Sequence, residues 1–405
     1  SGPVLLLDST QFDGEYGKEG AAQMPPDDPT NPILAGWMSD QETRYRYILY
    51  AADPTWSAWT ERCVRQADRL LIVGQAGADP APGRAETAIR SLEATARAEL
   101  VLLHPPHVIR PTGTACWLNQ REVRAHHHVR LNDKAHFQCL VRRLAGRAIG
   151  LVLSGGAARG FAHLGVFRAL EELGIDVDRV GGTSMGALLG AAYAMGRNCE
   201  DMFRLAQRLA NPKQLFDYTL PYASVMASRK LTRVTKEIFE ELHMEDMWRP
   251  FFCVSANLTQ AEPVLHQTGL LWRGVRASIA IPGIFTPILH GGDVLVDGGT
   301  MNNFPVDIMQ GLCEGGTVIG VSVSPPKEMI TGYEFDTSIS GWRVLWSRIN
   351  PFAQRLQVPN LAANLIRALE INSIHQNKSM LEVADLLIEP DVTRFASLDF
   401  AAYEA

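Results

Sequence analysis

Short runs of Val, Ile and Leu alternate along the chain with stretches whose apolar residues recur at helical spacing. That order belongs to α/β architecture, with a mostly parallel sheet buried under helices. In the first third the pattern predicts strands at Val4–Asp8, Tyr47–Ala51, Leu70–Val73 and Leu100–His104. Helices are predicted between them, near Pro32–Arg44, Ser57–Ala67 and Ala85–Ala98. The segment Gln11–Asp28 is rich in Gly, Pro and acidic residues and reads as a flexible loop. At Ala148 the texture changes: Ile149–Leu153 reads as a buried strand, followed by Ser154–Gly160 and an amphipathic helix through Leu173. A strand at Val177–Val180 and a helix at Met185–Met195 come next, then helices near Glu200–Ala210 and Leu231–Leu242. Further strands are predicted at Phe251–Ala256, Val294–Val296, Val318–Ser322 and Asp385–Ile388. The domain boundary falls near residue 147. Residues 1–147 read as a smaller Rossmann-like α/β domain with no catalytic motif, and residues 148–405 as a second domain.

Composition narrows the class. A chain of 405 residues suggests two or three domains. With 46% hydrophobic and 20% charged residues, disorder, collagen and coiled coil are excluded. The net charge is −6, from 38 basic and 44 acidic residues, which is no footprint for nucleic acid. Six scattered cysteines form no CxxC pair, and unpaired thiols fit a reducing compartment. No apolar run is long enough to cross a bilayer, and no signal peptide is visible. A cytoplasmic protein, or one peripheral on the cytoplasmic face of a membrane, is expected. The start Ser1-Gly2-Pro3 lacks a Met and reads as a cleavage scar on a fragment of a longer protein. From Arg121 to Arg147 seven basic residues meet only Glu122 and Asp133. They read as a solvated helix face joining two domains, or as a docking surface for anionic lipid or a partner.

Three motifs carry chemistry. Gly182-Thr183-Ser184-Met185-Gly186 is a GxSxG between a predicted strand and a small-residue helix, the context in which a sharp turn exposes a nucleophilic serine at a helix N-terminus. The glycine run Gly155–Gly160 lies on an earlier strand-to-helix turn, where successive amides can converge as an oxyanion hole. A dinucleotide loop is the rival reading, but that fingerprint needs a glycine where Ala157 stands. Arg159 either holds this loop or meets a phosphate head group. The third motif, Asp297-Gly298-Gly299, follows a strand and offers a carboxylate as general base. A carboxylate with a pKa near 4 is a poor base for a hydroxyl, so Asp297 needs burial or a direct hydrogen bond to Ser184. A triad Ser184…Asp297…His375 is the alternative order, although His375 lies in a predicted helix, Leu361–Leu381. His163 reads as a packing or loop-holding residue, and His126-His127-His128 lacks the spacing of a metal site. Between Ser338 and Asn350, Trp342, Leu345, Trp346 and Ile349 share one helical face with Arg343 and Arg348 elsewhere. That face packs on the core or meets a membrane surface.

The three motifs together resemble the patatin-like phospholipase family, and most closely its neuropathy target esterase branch. Trp272–Ser278, Asp297–Pro305, Ser340-Gly341-Trp342 and Asn350-Pro351 support the resemblance, and Ile48–Gly74 extends it over most of the chain. It implies a three-layer α/β/α domain hydrolysing carboxylic esters of phospholipids or lysophospholipids without cofactor or metal. Ser184 would be nucleophile and Asp297 base, and the amides of Gly155, Gly156 and Ala157 the oxyanion hole, with Arg159 and Gly160 supporting the loop. The family often has Gly where Ser154 and Ala157 stand here, and an alanine amide serves there only if its φ stays negative. Relatives carry cyclic-nucleotide-binding-like domains, and some a membrane anchor, ahead of this region. Acyl transfer through the same dyad, or a non-catalytic lipid-binding module, are the competing functions.

Overall fold

The computed structural model describes residues 2–92, 96–324, 337–350, 383–396 and 399–400, with single positions between 356 and 371. The chain forms two compact units, Ser1–His136 and Phe137–Ala405.

In the first unit Val4–Leu7 pairs in parallel with Tyr47–Tyr50, and a separate parallel sheet runs Arg69–Gln75, Arg97–His104, Ala125–Arg130. Gln11–Asp28 is not the loop its composition predicts. Ser9–Tyr16 is a helix opened by a capping box: the Asp8 carboxylate accepts the Gln11 amide at 2.7 Å, and the Gln11 side chain accepts the Asp8 amide at 3.1 Å. The Asp13 carboxylate accepts the amides of Gly20 and Ala22, each at 2.7 Å. Phe12 is fully buried among Tyr16, Trp37 and Trp59. One of the acids that suggest a solvated loop, Asp13, ties the chain that follows back onto the helix. The helix expected over Ala85–Ala98 stops at Ser91, and the strand starting at Arg97 takes its last residues.

The basic run is also corrected. Ala125–Arg130 is a buried strand rather than part of a solvated helix face. Arg121 is buried, bonding the Pro80 carbonyl at 2.6 Å and Glu86 at 3.0 Å while its guanidinium covers the Trp117 ring. At the end of helix Lys134–Leu144, Arg142 forks onto the fully buried Asp178 carboxylate, and Arg143 donates to the Asp178 carbonyl. These cations are internal ties. Fork-shaped guanidinium bonds to a buried acid hold a helix end far better than exposed pairs do.

The second unit is built on an eight-stranded sheet. Its order is Ile288–His290, Asp293–Asp297, Phe251–Asn257, Arg179–Thr183, Ile149–Leu153, Thr317–Val321, Leu386–Ile388, with Glu262–His266 paired to Phe251–Asn257. The five strands from Phe251–Asn257 to Leu386–Ile388 are parallel to their neighbours in that order. Alternate residues enter two cores. Leu151, Leu153, Val180, Phe251 and Cys253 join one with helices His163–Glu172, Met185–Ala194, Cys199–Leu209, Arg229–Phe239 and Leu271–Ser278. Val152, Phe252, Val254 and Val318 join the other with Phe304 and helix Val306–Cys313. A sheet covered on both faces is the three-layer α/β/α arrangement, and its strands read as continuous apolar runs for that reason.

Candidate active site

One strand sets the geometry. Phe251–Asn257 shares a single edge between two neighbours: Thr183 stands opposite Val254 in parallel pairing, and Asp297 opposite Ser255 in antiparallel pairing. The ends of Arg179–Thr183 and Asp293–Asp297 therefore arrive one residue apart on the same ruler. Ser184 follows the first strand and Asp297 closes the second. The Ser184 hydroxyl donates to Asp297 Oδ2 at 2.6 Å, and the two residues are 8% and 2% exposed.

The turn that presents Ser184 is strained and crowded. Ser184 has φ +54 and ψ −122, a backbone conformation rare for a residue with a side chain. A Cβ on Gly182 would lie 2.8 Å from the Leu153 carbonyl, and one on Gly186 only 2.3 Å from it. Both flanking positions of the GxSxG therefore accept only hydrogen. Ser278, at the end of helix Leu271–Ser278, braces the turn: its hydroxyl accepts the Ser184 amide at 3.0 Å and donates to the Val254 carbonyl at 2.6 Å. Sequence reasoning gave Ser278 no role, since a serine at a helix end has no distinguishing pattern.

The Gly299 amide donates to Asp297 Oδ1 at 2.8 Å, which fixes the carboxylate and leaves Oδ2 for Ser184. Burial raises the Asp297 carboxyl to about 7, against the pull of the bonds from Ser184 and Gly299. Both conditions that make aspartate a competent base, desolvation and a direct bond to the hydroxyl, are met here.

The glycine loop lies beside the serine, since a Cβ on Gly155 would come within 3.0 Å of the Ser184 Cβ. The Gly155 amide, expected to join the oxyanion hole, instead donates to the Asn303 carbonyl at 3.1 Å. Asn303 Nδ2 returns a bond to the Gly155 carbonyl at 3.3 Å. No acceptor is recorded among the described residues for the amides of Gly156 and Ala157. Ala157 does not keep the negative φ that its Cβ favours; it sits at φ +49. Gly160 packs under the serine turn, where a Cβ would meet Met185 Cγ at 2.3 Å. Arg159 Nε donates to the Phe395 carbonyl at 2.9 Å, a loop-holding bond. His163 is fully buried with Nε2 on the Ser154 carbonyl at 3.0 Å, and burial lowers it to about 4, so it is neutral and donates to the loop.

The remaining sequence candidates lie elsewhere. His127 bonds Glu99 at 2.7 Å and His128 bonds His104 at 2.9 Å, both inside the first unit. His375 lies outside the described residues. Helix Gly341–Ile349 corrects the core-packing reading of its tryptophans: Trp342 is 81% and Trp346 65% exposed.

Residues 151–309 match the family model described as patatin-like phospholipase, and residues 30–149 match the neuropathy target esterase family P-loop like domain. The chain carries a patatin-like phospholipase domain preceded by a P-loop like domain of the neuropathy target esterase family. Among the relatives of this patatin-like chain, lysophospholipase NTE1 of Mycosarcoma maydis is 34% identical over 463 residues, covering 100% of the chain and 24% of the relative. Patatin-like phospholipase domain-containing protein 6 of Homo sapiens is 34% identical over 441 residues, covering 100% and 31%. Neuropathy target esterase sws of Drosophila melanogaster is 34% identical over 446 residues, covering 100% and 30%. The patatin-like chain thus spans about a quarter to a third of the length of these relatives.

Proposed function

We propose that this chain is a serine esterase that hydrolyses carboxylic esters of phospholipids or lysophospholipids through a Ser184–Asp297 dyad. The observation that carries the reading is the 2.6 Å bond between the two side chains, buried at the ends of adjoining strands. Asp297 Oδ2 takes the proton as Ser184 Oγ attacks the acyl carbonyl carbon. The resulting oxyanion is held by the amide of Gly156; the Gly155 amide, spent on Asn303, is left out, and so is Ala157, whose φ of +49 fails the condition set for it. Collapse breaks the ester bond, and the proton on Asp297 leaves with the alcohol. Water then attacks the acyl-serine, giving up its proton to Asp297, and the fatty acid departs as Ser184 recovers that proton. The names of the relatives, lysophospholipase among them, support the ester class.

The exposed face of helix Gly341–Ile349 supports a membrane source for this substrate. Trp342, Leu345, Trp346 and Ile349 lie on it at helical spacing, with Arg343 and Arg348 on the same helix. Tryptophan and arginine on a short amphipathic helix suit the bilayer interface. Among the described residues no helix is long and apolar enough to cross a membrane.

The test is direct. Ser184→Ala and Asp297→Asn are each expected to lower kcat by about 10³-fold or more with circular dichroism unchanged. A fluorophosphonate probe is expected to label Ser184 in the parent protein, read by peptide mass spectrometry. Near-parental turnover by either variant defeats the dyad.

A further inference from the structure

Away from the dyad, a cavity of about 560 Å³ opens between helices Arg229–Phe239 and Leu271–Ser278 and the segment Thr286–Ile288. Four cations line it, Arg229, Arg233, Lys236 and Arg276, against one acid, Glu237. Glu237 is already engaged by Arg208 and lies 3.7 Å from Arg233.

Arg276 is the unusual member. It is 1% exposed, yet among the described residues no carboxylate pairs with it. Its Nε donates to the Thr232 hydroxyl at 3.2 Å and one Nη2 bond reaches the Thr286 carbonyl at 2.9 Å. Nη1 is buried with no hydrogen-bond partner. Burial lowers the guanidinium to about 10, so it still carries its charge at neutral pH. A buried cation with an unmet donor is costly unless an anion completes it. The acid whose charge acts on it, Asp217, has its carboxylate on the amides of Ser228 and Arg229 at 2.9 Å. That carboxylate occupies the helix N-terminus, so an anion in the cavity would be held by side chains. Lys236 rests its ammonium 4.5 Å from the Trp272 ring centroid, and the Thr232 hydroxyl, having accepted from Arg276, keeps a proton to donate.

We propose that this cavity is a binding site for a phosphoryl group, held by Arg276 at its base with Arg229, Arg233 and Lys236 around it. Several guanidinium forks converging on one anion suit tetrahedral phosphate oxygens better than a single carboxylate. The volume exceeds that of a bare ion and admits an organic phosphate such as a lipid headgroup. The site is separate from the dyad and stands whether or not the esterase reading does.

The experiment is calorimetric titration of the full chain at constant ionic strength with three probes: inorganic phosphate, glycerol 3-phosphate and glycerophosphocholine. Saturable binding of at least one is expected, weakened tenfold or more in an Arg229→Gln/Arg233→Gln variant whose exposed positions leave the fold intact. Arg276→Gln is expected to weaken it at least as much, with folding checked by circular dichroism; should that variant not fold, the exposed pair decides. Binding of the diester as tight as that of the monoesters assigns a phospholipid headgroup, and binding of the monoesters alone assigns a free phosphomonoester. No heat with any probe, or undiminished binding by the exposed pair variant, overturns the site.

Discussion

The proposed mechanism turns on a carboxyl placed where it resists losing its proton. Asp297 is raised to about 7 by burial, so kcat/KM for ester hydrolysis is expected to climb as pH rises through about 7, where the base becomes ionised. A flat profile between pH 5 and 8 would remove Asp297 from the base role. The same shift has a stability consequence. A carboxyl whose folded value lies above its unfolded value near 4 holds more protons when folded, so its ionisation lowers stability as pH rises from about 4 to about 7. Asp297→Asn is therefore expected to melt several degrees higher than the parent at pH 8, with the gain fading as pH falls below 7 and gone near 4. That the Ser184 and Asp297 side chains would meet was legible in the sequence because their motifs come with glycines that fix the turn. Ala157 was legible only in part: its place in the loop followed from spacing, but its φ of +49 did not.

At the scale of elements, the two functional strands meet because Phe251–Asn257 pairs with both along one edge, and helix Leu271–Ser278 locks the junction. Ser278 links the Ser184 amide to the Val254 carbonyl, tying the turn to that ruler strand. Ser278→Ala leaves a buried amide without its acceptor, at a cost of about 1–3 kcal/mol. The variant is expected to lose about tenfold or more in kcat with little change in KM, together with a lower melting temperature; KM rising alone would give Ser278 a substrate-binding role instead. The strands of the second unit were legible because parallel strands buried on both faces are plain apolar runs. Ala125–Arg130 was hidden by its composition, AHHHVR, since two of its histidines are buried on polar partners, His127 on Glu99 and His128 on His104. Helix Ser9–Tyr16 was hidden by polar residues, Asp8 and Gln11 of its capping box and Asp13, whose bonds to the backbone hold it. In the helix local capping bonds reverse the compositional signal, whereas in the strand the partners lie 24 and 28 residues away, beyond any short window of residues.

For the whole molecule, the sequence pattern sets a boundary near residue 147, and the compact units divide after His136. An esterase of the proposed kind has to extract a substrate held by its acyl chains in a bilayer, so on that reading a surface that seats the protein there matters as much as the Ser184–Asp297 pair. Helix Gly341–Ile349 supplies the best candidate surface, because four apolar side chains at helical spacing are each 46–81% exposed. Water contact over that much apolar area is unfavourable by roughly 25 cal/mol per Å², which burial among acyl chains relieves. Trp342→Ala/Trp346→Ala should therefore float less with phosphatidylcholine liposomes than the parent, about tenfold in partition coefficient. Turnover of a short-chain monomeric ester should stay near the parental rate, since neither tryptophan belongs to the dyad. Equal flotation of variant and parent would show that another surface carries the contact; loss of monomeric turnover along with flotation would show that the helix supports the fold around Ser184.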